Sequence, residues 1–149
     1  MFYIYRRRKV RRIRMRRVRT VSQRADYAAH KNAAREVIMA RLEYFATEYA
    51  KLDPAFADSM KYRRVSIRDQ RSRWGSCSAQ KNLNFNYRLV HLSPELRDYV
   101  VVHELCHLVE LNHGSKFWAL VGQMIPNAQR LSHQIRRMPM DKIAASPVL

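Results

Sequence analysis

The stretch "VVHELCHLVELNHGSKFW", residues 101–118, sets three histidines and two glutamates in an otherwise mostly apolar run. A buried, unpaired charge is costly, so polar groups in such a run imply that they hold something. On a helix at about 100° per residue, His103 and His107 lie four apart and about 40° from one another. Their imidazoles converge on one point. This is the HExxH pattern, in which two histidines on one helix face bind zinc and the glutamate serves as a base. Zinc suits neutral imidazole, and a catalytic site takes three protein ligands plus a water. Glu104 lies about 100° round from His103. That offset keeps it off the metal and near the attacking water, whose proton a carboxylate there can take and later pass to a leaving amine.

The third ligand must come from further along the chain. His113 is six residues after His107, where the helix should end, and a chain that turns back there brings its imidazole to the same ion. The spacing HExxHxxxxxH occurs in one large group of zinc proteases, with a Gly inside the spacer that permits the turn. Glu110 occupies that Gly position here. It also falls on the ligand face, about −20° from His103. His113 is the first candidate for the third ligand. Glu110 is the alternative ligand, and better suited as a partner to a ligating imidazole.

Several elements must position these groups. From Asp26 to Leu52, Ala34, Ile38, Leu42, Phe45 and Tyr49 recur at three and four, which predicts a helix with one apolar face. Asp26 is a candidate N-cap, and Pro54 ends the run. "YRRVSIRD" (62–69) and "LNFNYRLV" (83–90) alternate as strands do, with turn-rich "RSRWGSCSAQKN" between them, so an antiparallel pair is expected. Ser93 and Pro94 open the active-site helix, predicted from about Pro94 to Leu111, with Asn112 and Gly114 as terminators. Ser115 is placed to cap a further helix with Phe117, Leu120, Val121 and Met124 on its apolar face, and a last helix is predicted over 127–137. In "RRIRMRRV" (11–18) Ile13 and Met15 alternate with arginines, which suggests a short strand.

Composition bounds the rest. At 149 residues and 47% hydrophobic, the chain can build one domain with a real core. Cys77 and Cys106 are too few for a disulfide framework or a Cys-rich zinc site, and they read as small buried hydrophobes. No apolar run approaches the ~18 residues of a membrane span, and the apolar start is too short for a secretory signal. A cytoplasmic protein is the expectation. The net charge of +17 is concentrated at the front, where residues 1–24 carry ten Arg, Lys9 and no acid. Such an arm attracts polyanions by counterion release. The expected organisation is therefore a basic arm over 1–24, a domain over 25–140 and a loose tail over 141–149.

"RSRWGSC", "LNFNYRLV" and "YVVVHELCHLVELNHGSKFWALV" together resemble the YgjP-like metallopeptidase family, over about residues 62–137. That family is in turn similar to the SprT-like and WLM metalloproteases. "RRIRMRRV" resembles the family's first strand, although no hairpin partner follows, and "NHG" stands where "NHS" is common. The resemblance implies an α+β zincin-like fold, with the active-site helix and flanking helices packed on a small antiparallel sheet. It also implies one catalytic Zn²⁺ held by His103, His107 and His113, Glu104 as base, and a peptide or protein substrate.

Residues 73–77 admit two readings. They form an edge of the substrate groove, where an extended peptide pairs with a strand, or Trp74 is a core anchor and Gly75 a turn residue. The second reading is preferred. Tyr87, Arg88 and His91 are candidates for oxyanion or substrate contacts. His30 and His133 have no motif around them and read as surface residues, and Phe117 and Trp118 are expected to pack behind the metal site. A rival function is a nucleic-acid-associated module in which the metal is structural or absent. A hybrid is a protease recruited to nucleic acid by its Arg-rich arm.

Overall fold

The computed structural model describes residues 19–140 and residue 143. The expected strand over 11–18 lies outside the described residues, and so does the expected loose tail over 141–149 apart from Ile143, which packs against the core. Five α-helices and a three-stranded sheet follow in the order α1 (Val21–Leu52), α2 (Phe56–Ser59), β1 (Arg64–Arg68), β2 (Gly75–Cys77), β3 (Asn82–Asn86), a 3-10 turn (Tyr87–His91), α3 (Pro94–Cys106), α4 (Ser115–Met124) and α5 (Ala128–Arg137). This is an α+β arrangement.

Helix α1 buries the stripe Ala34, Ile38, Leu42, Phe45 and Tyr49, and lies against the 3-10 turn, α3 and β1. Its start differs from the expectation. Thr20 is the N-cap: its side chain accepts from Gln23 N, and the Gln23 side chain accepts from Thr20 N. This reciprocal capping box satisfies two orphan donors at once, so the helix begins at Val21 and takes up residues 21–24 of the expected arm. Asp26 is left free of capping and bonds elsewhere.

The sheet is mixed rather than antiparallel. Its order is β1-β3-β2, with β2 antiparallel and β1 parallel to β3. The physical reason lies in the segment between β1 and β3. A tight turn, with Lys81 N donating to Ser78 O and Lys81 at φ 59°, folds β3 back on β2. The other edge of β3 is then open to β1, and residues 69–74 carry the chain across. Asn86, fully buried, holds that crossover by donating from its amide to the Gln70 and Arg73 carbonyls at 2.7 and 2.9 Å. Val65, Ile67, Leu83 and Phe85 are the buried residues expected from the alternation.

Helix α3 is the element that every part of the site depends on. Ser93 Oγ accepts from Leu96 N and Pro94 opens the first turn. Val100, Val101, Val102 and Leu105 are fully buried. The helix is packed by β2 on one side and by α4 and α5 on others, which fixes both its rotation and its depth.

Candidate metal centre

His103, Glu104 and His107 are each no more than 2% exposed, which is unusual for residues of their polarity. Helix α3 ends at Cys106, sooner than expected. Leu108 N and Val109 N donate three residues back, to Leu105 and Cys106, and this tightens the last turn. His107 Nδ1 lies 2.9 Å from the Glu110 carbonyl oxygen. Since a carbonyl only accepts, Nδ1 carries the proton and Nε2 presents its lone pair. The early turn also swings His113 back over the helix end.

The three Nε2 atoms meet. They are separated by 3.2 Å (His103–His107), 3.2 Å (His107–His113) and 3.0 Å (His103–His113). A tetrahedral ion with zinc–nitrogen bonds of about 2.0–2.1 Å needs nitrogen–nitrogen edges of about 3.3–3.4 Å. The donor set and its spacing therefore fit a zinc ion.

The electrostatics agree. Burial holds the His103 imidazole well below its usual range, helped by His107, His113 and Arg136. Burial pushes His107 down to about 4, and burial followed by the Arg136 charge lowers His113. All three rings are thus neutral near pH 7, the form that binds metal. Burial alone raises the Glu104 carboxyl to about 8, and its Oε2 has no hydrogen-bond partner. Three inward-facing lone pairs, with a buried acid at the next position of the helix after His103, make an arrangement short of positive charge, which a divalent cation would supply.

Sequence reasoning missed part of the surroundings. The Tyr99 hydroxyl lies 3.2 Å from His103 Nδ1, and Tyr99 also bonds Ser132, which accepts from Arg136 Nη2 at 2.8 Å. The position of Tyr99, four residues before His103 on the same face, was the available signal. Phe117 stacks on His107 with centroids 4.5 Å apart and meets the edges of His103 and His113, with Trp118 beyond it. These two side chains pack behind the imidazoles, as expected.

Among the described residues, the groups that could hold an ion are His103, His107 and His113 on one hand and Asp26, His30 and His91 on the other. Glu110 is in neither. It reaches the site only through its main-chain carbonyl, so the second candidate for third ligand does not join the cluster. Tyr87, Arg88 and His91 are not brought to the imidazoles either. Tyr87 donates to Asp26 Oδ2, Arg88 pairs with Asp69 at 2.6 Å, and His91 meets His30 edge-on. His30 is half-buried rather than a surface residue, and His133 is exposed.

Trp74 is 3% exposed and anchors the core, while Gly75 sits in β2 and not in a turn. Both cysteines are free and buried, and burial pushes each thiol up to about 12. They are inert as nucleophiles at neutral pH.

A family model described as YgjP-like, metallopeptidase domain, matches residues 4–138. Among solved structures, the chain is similar to the crystal structure of the metallopeptidase zymogen of Pyrococcus abyssi abylysin. The TM-score is 0.51 at 23% identity, covering 66% of this chain and 90% of that one. That likeness is one of fold. No curated protein matches the chain.

Proposed function

The chain belongs to the YgjP-like metallopeptidase family of metal-dependent proteases, and from that membership we propose that it hydrolyses peptide bonds with one zinc ion held by His103, His107 and His113 and with Glu104 as general base. The observation that carries this reading is the meeting of three Nε2 atoms within 3.0–3.2 Å, with the next residue of α3 after His103 burying a carboxyl whose Oε2 has no partner.

When bound, zinc supplies Lewis acidity, polarising a carbonyl and lowering the pKa of water toward ~7. The chain's own residues do the rest. The Glu110 carbonyl holds His107 in the tautomer whose Nε2 is free. Tyr99 bonds His103 Nδ1 and leaves its Nε2 facing the same point. Phe117 and Trp118 exclude water from the rear of the rings. The Glu104 carboxylate takes the proton from the attacking water and gives it to the leaving nitrogen.

The test is metal analysis and hydrolysis of an unfolded protein substrate by the full chain, wild type against Glu104→Gln. One zinc per chain is expected in both. The activity of the variant should fall by about 10²–10⁴-fold, the usual contribution of a general base. Retained zinc with unchanged activity would overturn the role of Glu104.

A second reading concerns the arm. Its eleven basic side chains within 24 residues, with no acid among them, favour attraction to nucleic acid. Affinity for a DNA or RNA duplex should then fall steeply with salt and drop when residues 1–18 are deleted. Binding that ignores salt would remove it. Among the described residues no helix is long and apolar enough to cross a membrane.

A further inference from the structure

Gly75 pairs with Phe85 inside the sheet, is buried, and does not have a positive φ. Its backbone is one that any residue adopts, so conformational freedom does not explain why it lacks a side chain. Space does. A β-carbon at position 75 would stand 2.6 Å from Glu104 Cγ, 2.7 Å from Oε1 and 2.9 Å from Cδ. At Gly114 and Gly122 a β-carbon would meet nothing within 4 Å. The contact runs along the length of the Glu104 side chain and is not limited to its tip. Glu104 has no solvent to swing into, being 1% exposed among fully buried Val100, Val101 and Leu105. The pairing of β2 with β3 and the packing of α3 against β2 prevent either backbone from retreating.

We propose that Gly75 is a positioning residue for Glu104: the missing side chain is the slot in which the carboxyl group lies, and the edge strand β2 sets where the base stands. The proposal rests on the reading of Glu104 as the base, and it explains the glycine of the "RWGSC" motif by chemistry 29 residues away. Any side chain at 75 must displace the Glu104 carboxyl, while these closest clashes touch none of the three imidazoles, of which His103 lies on α3, His107 caps its end and His113 follows in the turn.

The experiment is a set of Gly75→Ala variants in three backgrounds, each read by zinc content, thermal melting and kinetics. In the wild-type background Gly75→Ala should lower kcat by about 10²-fold, as a displacement of about 1 Å does. KM and zinc content should stay unchanged. It should also lower Tm by roughly 3–10 °C, the range for an overpacked core. The same drop is expected in Glu104→Gln, which keeps the shape. In Glu104→Ala, where the slot is empty, Gly75→Ala should cost no stability.

A Tm drop of equal size in all three backgrounds, or an unchanged kcat, overturns the proposal. Should Gly75→Ala alone fail to fold, recovery in Gly75→Ala/Glu104→Ala supports it and failure of both overturns it. The melting series does not depend on activity. A wild-type chain without peptidase activity would therefore refute the functional reading and still leave the steric coupling measured.

Discussion

Around Asp69 and Asp26 the carboxylates are surrounded by partners, whereas Glu104 is buried more deeply than either and one of its oxygens has none. Asp69, with its side chain 4% exposed, lies between Arg88 at 2.6 Å and Arg19 at 2.8 Å. Asp26 takes a bond from Tyr87 and meets His30 at 3.0 Å. The imidazoles of His103, His107 and His113 point their Nε2 atoms at one another. Both regions spend histidines and acids, yet in the first each carboxylate meets an arginine, a hydroxyl or an imidazole, and in the second a carboxyl oxygen meets none. The paired carboxylates tie α1, the crossover and the 3-10 turn together. An unsatisfied one, held in place by a well-packed helix, is a stability cost that only a ligand offsets.

The sharpest way to break this contrast is to remove one carboxylate from each region. Asp69→Asn keeps the shape but leaves Arg88, with its side chain 11% exposed, without its counter-charge. Breaking such a buried pair costs about 3–5 kcal/mol, and urea unfolding should show it. Glu104→Gln in the presence of a chelator should do the opposite. The folded carboxyl is raised to about 8 against an ordinary 4.5. Between those values the folded state keeps a proton that the unfolded chain releases, so wild-type stability falls as pH rises through that window. The variant escapes this loss. Its advantage should be absent below pH 4.5 and grow to a few kcal/mol by pH 8. An equal destabilisation by both substitutions would remove the distinction.

The histidines allow a sharper version of the same test. His107 is lowered to about 4 from an ordinary 6.5. On acidification the unfolded chain takes up a proton before the folded one, so the stability is present above pH 6.5 and lost as pH falls through 4. In chelated Glu104→Gln, where the opposing carboxyl is gone, Tm should decline steadily from pH 6.5 to 4, by the equivalent of about 2–3 kcal/mol. A flat profile would mean that the imidazoles are not held neutral by burial.

How far these regions were legible in the sequence follows from how local their signals are. The four-residue step from His103 to His107 is a property of any helix, and the stripe from Ala34 to Tyr49 is another, so both were readable. The turn that returns His113 was readable from its distance alone. The end of α3 at Cys106 was not, because it goes with contacts made beyond it, of Leu108 N and Val109 N with carbonyls three residues back and of His107 Nδ1 with the Glu110 carbonyl. The parallel pairing of β1 with β3 depends on which strand reaches β3 first, and alternation carries no such information. Tyr87, Arg88 and His91 looked free because Asp26, Asp69 and His30 lie 61, 19 and 61 residues away. Gly75 was legible as a glycine but not as a slot, since the group that fills it sits on another element.

The smallest expected effect tests whether the second histidine cluster is as closed as its contacts indicate. His30 Nδ1 lies 2.9 Å from the carbonyl oxygen of Asp26, one turn earlier in α1, and 3.0 Å from its carboxylate. A nitrogen that donates to a carbonyl has no lone pair to give a metal. The side chains of the pair are 23% and 25% exposed at the helix surface, where such contacts contribute about 1 kcal/mol or less. His30→Ala should therefore lower Tm by only about 2–4 °C, leave one zinc per chain and leave peptidase activity intact. A fall in bound zinc on this substitution, measured in protein whose His103, His107 and His113 are unaltered, would show that Asp26, His30 and His91 form a metal site, and the contrast between a closed cluster and an open one would no longer hold.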